Sequence, residues 1–289
     1  MKHAYLILAH HEFALLQILV SCLDDSRNDI YIHIDRKVKS LPRISANNAG
    51  LYILDRRVDV RWGDVSQIRA EYALLEAAAA NGPYKYYHFM SGVDLPLKSQ
   101  DRIHGFFDAN QGKEFIGYSI SEMTPQLVRK VRRWHLFPRH FKSRSVFVKA
   151  PRALCIRIQE LLGIQRNRKV DFKKGPNWVS ITEALAQYVI GRKEWSLKTF
   201  RNTFCADEVF IQTLCWNSDF RSRIYDPLSN KGCMREIGWK DGQLIDWSAK
   251  DLEYLKSSPA LFARKFNSSD MGFIRAVSAL GKPSQNTEM

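Results

Sequence analysis

The sequence has few cysteines, and their placement excludes two architectures. Cys22, Cys155, Cys205, Cys215 and Cys233 are odd in number, far apart and nowhere arranged as Cys-x-x-Cys. That argues against a disulfide framework or a zinc site and for reduced thiols, in a cytoplasm, that mostly fill a core. No uncharged apolar run reaches the roughly 18 residues that a membrane-spanning helix needs. The apolar opening from Met1 to Ala9 is short, contains His3 and meets His10, His11 and Glu12 without a small-residue cleavage site, so it reads as a buried strand and not as a signal peptide. No two aspartates are separated by a single residue, and neither a Gly-x-Gly-x-x-Gly run nor a P-loop occurs. A metal gripped by an Asp-x-Asp pair is therefore not expected, and any phosphate has to be met by cationic side chains, by helix N-termini or at a site that leaves no motif in the sequence. Internal repeats and low-complexity tracts are lacking too.

What the chain has in excess is positive charge. Lys and Arg number 44 against 30 Asp and Glu, a formal net charge of +14, which points to an anionic partner: phosphorylated small molecules, anionic lipid or nucleic acid. The excess is concentrated. No acid lies between Glu122 and Glu160, the window that holds Arg129, Lys130, Arg132, Arg133, Arg139, Lys142, Arg144, Lys149 and Arg152. That window reads equally as a solvated cationic face or as a site for a membrane surface or an anionic ligand. With 289 residues, 45% of them hydrophobic and 12% aromatic, the chain can bury a sizeable core. A single domain over residues 1–282, with a frayed polar tail at 283–289, is expected.

Periodicity supplies the elements. Ala4 to Ala9 reads as a strand, Glu12 to Leu23 as an amphipathic helix, and Asp29 to Asp35 as a second strand with Ile30, Ile32 and Ile34 on one face. Gly50 to Leu54 reads as a third strand, Val65 to Ala80 as an alanine-rich helix and Tyr84 to Met90 as an aromatic strand. Beyond a looser basic stretch, helices are expected at Arg152 to Leu162, after a Thr182 cap through Ile190, and over Asp207 to Trp216. This rhythm is that of a layered α/β sheet, whose ligands sit beyond the carboxyl ends of the strands.

Several residues at such ends are suited to chemistry. Asp35 reads either as a turn cap or as an acceptor for the hydrogen bonds of a uracil or ribose. His10, with His11, follows the first strand; on an extended chain the two rings point apart, which speaks against a shared metal. Asp94, bracketed by glycine and proline in SGVDLPL, reads as a presented carboxylate or as a loop anchor. In CADEVF, Asp207 reads as a helix cap, and Glu208 as either a first-turn acid or a general base facing a cleft. Arg264 and Lys265 lie in FARKFN among apolar neighbours; they either snorkel or neutralise a departing diphosphate. Trp178 and Trp239 are core residues or flat platforms for a sugar ring.

Taken in order, AYLILAHHE, HIDRK, WGDVSQIRAEYALL, SGVDLPL, KGPNWVS, CADEVF and FARKF resemble the core-2/I-branching β-1,6-N-acetylglucosaminyltransferases, to which the peptide O-xylosyltransferases are related. The resemblance runs over nearly the whole chain. It implies a GT-A type fold, that is, a Rossmann-like mixed central sheet flanked by helices, with residues 1–100 as the nucleotide-binding half and 101–282 as the acceptor and catalytic half. It also implies a UDP-sugar donor, inversion at the anomeric carbon, and catalysis with neither metal nor other cofactor. The family's catalytic glutamate falls on Glu208, its UDP-contacting aspartate on Asp35 and its phosphate-binding lysine on Lys265. Trp239 is similar to a tryptophan on the family's acceptor side, and Arg132 or Arg133 to a basic acceptor contact; the reading of the residues themselves sets His10 on the UDP side and Asp94 and Trp178 on the acceptor side. Core-2 enzymes pair the lysine with an upstream arginine, yet the stretch from Trp239 to Asp251 contains none; Lys240, Arg235 and Arg264 are the available substitutes.

The expected reaction is thus transfer of a sugar, N-acetylglucosamine first and xylose second, from its UDP donor to a hydroxyl of a glycan or lipid-linked glycan in bacterial surface polysaccharide synthesis. A cytoplasmic protein, peripheral at an anionic inner membrane face, suits the charge. A metal-dependent glycosyltransferase of another family is the nearer rival. A non-catalytic nucleic-acid or anionic-lipid binder built on Arg129 to Arg152 is the distant one; the chain has no recognised nucleic-acid motif, and nucleic acid is not an expected partner.

Overall fold

The computed structural model describes residues 1–119, 124–240 and 243–281, so the expected tail, 283–289, lies outside the described residues. The first half alternates as the periodicity predicts: β1 (His3–Ala9), α1 (Phe13–Leu23), β2 (Asn28–Ile34), β3 (Gly50–Ile53), α2 (Ser66–Asn81) and β4 (Tyr86–Ser91). A short β5 (Leu95–Pro96) and the helices α3 (Gln100–Ala109), α4 (Pro125–Arg132) and α5 (Val146–Leu161) follow. Next come β6 (Ser180–Thr182), α6 (Glu183–Gly191), α7 (Lys193–Phe200) and α8 (Phe210–Trp216). The chain then runs through β7 (Arg235–Ile237), the hairpin β8 (Trp239–Lys240) and β9 (Gln243–Leu244), α9 (Leu252–Ser257), β10 (Phe262–Arg264) and α10 (Met271–Leu280).

The central sheet has the order β3-β2-β1-β4-β6, parallel except for β6, which runs antiparallel to β4. Both faces of β1 are covered, which is why its sequence is continuously apolar and does not alternate with polar residues. Leu6 faces a core shared with Ile68, Tyr72 and Leu75 of α2 and Val189 of α6. Tyr5, Ile7 and Ala9 face a second core with Leu16 and Leu19 of α1, Phe107 of α3 and Val277 of α10. This is the expected Rossmann-like mixed sheet flanked by helices. After β3 the chain returns to pair β4 on the other side of β1, so strand order reverses there and a crevice opens at the carboxyl ends of β1, β2 and β4. A second sheet, β5-β10-β7, is stitched onto the first by the buried Arg235, which donates to Val179 O at 3.0 Å, Ser180 Oγ at 3.0 Å and Phe89 O at 3.3 Å.

Two helix starts differ from the sequence reading. α5 begins at Val146 instead of Arg152 and carries Pro151 inside it; the carbonyl that this proline cannot pair belongs to Phe147, which is open to water. Ala206–Glu208 form a 3-10 turn ahead of α8, entered through Cys205 in the left-handed region, so Asp207 is buried and does not cap the helix. Thr182 does cap α6, accepting from Leu185 N at 3.3 Å.

Buried polar groups at the amino ends of the strands bond to one another, although His3 Nε2 is left without a partner. His88 bonds Ser180 Oγ at 2.7 Å and His3 Nδ1 at 3.0 Å, and His104 bonds Asn28 at 2.9 Å. Burial holds all three imidazoles below the usual histidine range. Glu114 accepts from Thr182 N at 2.9 Å and from Thr182 Oγ1 at 2.6 Å, and burial pushes its carboxyl up to about 7. An acid whose folded pKa is raised stabilises the fold least when ionised, so this contribution is lost as pH rises from about 4.5 through about 7. Glu114→Gln should therefore lose less stability between pH 5 and pH 8 than the parent does, by on the order of 2–3 kcal/mol. Urea unfolding at the two pH values measures it, and an unchanged difference would show that Glu114 does not titrate in this window.

Candidate active site

The crevice at the strand ends is a cleft of about 1090 Å³. His10, beyond β1, and His33 and Asp35, at the end of β2, line it together with Ser91 at the end of β4. The two neighbouring histidines do not point apart as expected. The chain bends at His10 and His11 themselves, just ahead of Glu12 in its left-handed conformation, and their rings meet edge to face with centroids 4.1 Å apart. Burial first, and the adjacent His11 second, hold His10 below the usual histidine range. Asp35 is a turn cap that borders the cleft: its Oδ1 accepts from Lys37 N at 2.8 Å, and its Oδ2 accepts from Lys37 Nζ at 2.6 Å.

Glu208 is brought to the same cleft by a close crossing of loops. Gly175 N donates to Glu208 O at 2.9 Å, and Ser119 N donates to Lys174 O at 2.8 Å. A side chain at Gly175 would place its Cβ 1.9 Å from Gly117 O, so only glycine fits there. This crossing carries Lys174 and Trp178 to the cleft. The Glu208 carboxylate then lies 2.9 Å from Lys130 Nζ and 3.5 Å from Lys174 Nζ. Neither lysine is recognisable as a partner from the sequence, because the pairing spans α4, the Gly175 loop and the 3-10 turn. Behind Glu208, Asp207 accepts from Gln67 Nε2 at 2.8 Å, and burial followed by the charge of Glu208 pushes its carboxyl up to about 7. Glu71, buried on α2, is also held well above the usual carboxylate range, by burial and then by Asp207.

Arg264 and Lys265 also line the cleft. The Arg264 guanidinium stacks over Trp178, 4.5 Å from the ring centroid, with Asp94 Oδ1 3.6 Å away. Lys265 Nζ lies 3.4 Å from Asp246. Trp239 lines the cleft and is exposed, whereas Lys240 does not: along a strand successive side chains alternate, and turning Trp239 toward the cleft turns its neighbour out.

Three other expected residues are placed elsewhere. Asp94 is buried and accepts from Ser91 N at 2.9 Å and Ser91 Oγ at 2.5 Å, so it anchors the loop and holds Arg264 instead of meeting an acceptor. Arg132 spends its guanidinium on Asn167 O at 3.1 Å and Val170 O at 3.2 Å, and Arg133 donates to Ile164 O; both tie α4 to the segment after α5, outside the cleft lining. Arg235, one of the possible phosphate partners, is committed to the backbone carbonyls described above. Sequence reasoning passed over Arg139, Lys142 and Trp62, which line the cleft. The basic window contained the first two, but only the fold sorts them from the rest. Among the described residues no group of three His, Cys, Asp or Glu side chains is placed to hold a metal ion.

The Core-2/I-Branching enzyme family model matches residues 3–275. The human N-acetyllactosaminide β-1,6-N-acetylglucosaminyl-transferase is 23% identical over 301 residues, covering 91% of this chain and 67% of its own. The mouse protein of the same name is 22% identical over 286 residues, covering 91% and 68%. The crystal structure of S. aureus TarS 1-349 aligns with a TM-score of 0.33 at 12% identity, covering 76% of this chain; this chain spans 56% of that one.

The pairing of buried Asp94 with half-buried Arg264 can be tested directly. Removing one partner leaves the other charge buried without compensation, so Asp94→Ala should lower unfolding free energy by roughly 2–4 kcal/mol. A loss below about 1 kcal/mol in urea titration would mean that Asp94 is not the anchor described.

Proposed function

Because the chain belongs to the Core-2/I-Branching enzyme family and is a glycosyltransferase, we propose that its cleft binds a UDP-sugar and transfers the sugar, with inversion and without a metal ion, to a glycan hydroxyl. The donor sugar in this proposal is N-acetylglucosamine and the linkage β-1,6, supported by the names of the human and mouse relatives. The acceptor is a glycan of a surface polysaccharide or a lipid-linked glycan, and the cationic excess suits work at an anionic membrane face.

One observation carries the reading: a carboxylate, Glu208, borders the same cleft as the strand-end residues His10 and Asp35 and the cations Arg264 and Lys265. In the proposed step the acceptor oxygen forms a bond to the anomeric carbon as Glu208 takes its proton. The bond from that carbon to the β-phosphate oxygen breaks, and UDP leaves with the electron pair on the opposite face. Lys130 and Lys174 orient the base. Arg264 and Lys265 stabilise the charge that grows on the leaving diphosphate, the work a metal does elsewhere. Asp35 retains free lone pairs for the nucleoside, since Lys37 occupies one site on each of its oxygens. Trp178 and Trp239 offer their faces to the sugars, Trp178 with one side already covered by Arg264.

Three measurements test the proposal. Glu208→Gln should reduce turnover by about 10²- to 10⁴-fold while UDP affinity stays nearly constant; parent-like turnover would remove Glu208 from the role, and Asp207 would be the next carboxyl to test. Lys265→Ala should weaken UDP binding in calorimetry by about tenfold or more, and an unchanged affinity would contradict the phosphate assignment. Transfer should persist in EDTA; a manganese requirement would replace this mechanism with a metal-dependent one.

A further inference from the structure

The helix α5 turns toward solvent a face that helices of water-soluble domains usually bury. Phe147, Leu154, Ile158 and Leu161 recur at spacings of seven, four and three, which places them on one side of an α-helix. They are 89%, 60%, 44% and 81% exposed, and Leu162 just beyond them is 68% exposed. The other side of the helix already has its partner. Ile156 and Gln159 are buried there, and Gln159 accepts from Trp134 N at 2.7 Å and donates to Trp134 O at 2.9 Å. The exposed stripe is therefore surplus to the packing of the domain.

Charge around the stripe has one sign. Between Met123 and Asp171 Glu160 is the sole acid in the sequence, and Arg129 holds it through two bonds of 2.8 and 2.9 Å. Arg144, Lys149, Arg157, Arg168 and Lys169 are all exposed. We propose that α5 is the surface by which this enzyme lies on an anionic lipid bilayer, its apolar stripe entering the boundary between headgroups and acyl chains and its flanking cations meeting lipid phosphates. A second copy of the chain fits this face less well, because it would set the same cations against one another. Arg139 and Lys142, which line the cleft, directly precede the helix. Docking thus holds the cleft beside the bilayer, within reach of a lipid-borne acceptor; only this last consequence rests on the transfer reaction proposed above.

Vesicle sedimentation tests the contact without substrate, so its failure and the failure of the transfer reading are separately visible. The full-length protein should sediment with phosphatidylglycerol-containing vesicles, stay in solution with pure phosphatidylcholine, and be released by high salt. Combined substitution Phe147→Ser, Leu154→Ser and Leu161→Ser should weaken vesicle binding by about tenfold or more, with an unchanged circular dichroism spectrum and an unchanged rate of UDP-sugar hydrolysis. Absence of parent binding to anionic vesicles, or equal binding by the substituted protein, would overturn the proposal. So would a dimer in sedimentation velocity that the three substitutions dissolve, since that would make the stripe an interface between copies.

Discussion

The backbone crossing of Gly117 and Gly175 is the constraint from which the cleft is built. The two loops approach more closely than any side chain allows, and the hydrogen bond from Gly175 to Glu208 fixes a third segment to the pair. Segments far apart in sequence thereby meet at one point on the sheet edge: Ser119, the KGPNWVS loop and the 3-10 turn. The geometry of Glu208, Lys174 and Trp178 follows from that meeting. The large parallel sheet provides the floor, and this crossing decides what stands on it.

The cleft separates carboxyl groups by environment. Glu208 is partly open and faces two ammonium groups, whereas Asp207 and Glu71 behind it are buried and raised. Adjacent acids in the chain therefore differ in chemical character because a single 3-10 turn points one out and one in. Buried carboxyls beside a reacting group are a familiar way to hold protons near a site.

Much of the first half of the fold was readable from periodicity, because β1 and β4 are largely apolar runs, β2 carries Ile30, Ile32 and Ile34 on one face, and α1 and α2 have apolar faces. The strand-end candidates His10 and Asp35 were readable for the same reason: in a sheet of this kind, position along the strand predicts position relative to the crevice. Legibility fell where one residue serves a distant partner. Asp94 was ambiguous in sequence, and only its burial and its bonds to Ser91 decide for the anchor. Arg132 and Arg133 look like ligands in a basic run, yet backbone carbonyls from the segment after α5 claim them. Lys130 and Lys174 carry no local signal of their pairing with Glu208, since that depends on long-range crossings. The bend at His10 and His11 likewise overrode the assumption of an extended chain there.

The histidine cluster at the opposite end of the sheet has an effect on the acid tolerance of the whole domain. His3, His88 and His104 are kept neutral by burial, so the unfolded chain takes up protons that the native one refuses once pH falls below about 6.5. The raised carboxyls Glu114 and Asp207 act in the reverse direction over an overlapping interval, because the native chain keeps protons that the unfolded one gives away. The two slopes partly cancel between about pH 4 and pH 6.5. Mild acidification thus costs the domain less than its buried imidazoles alone would impose, because the burial of Glu114 and Asp207 offsets part of their effect.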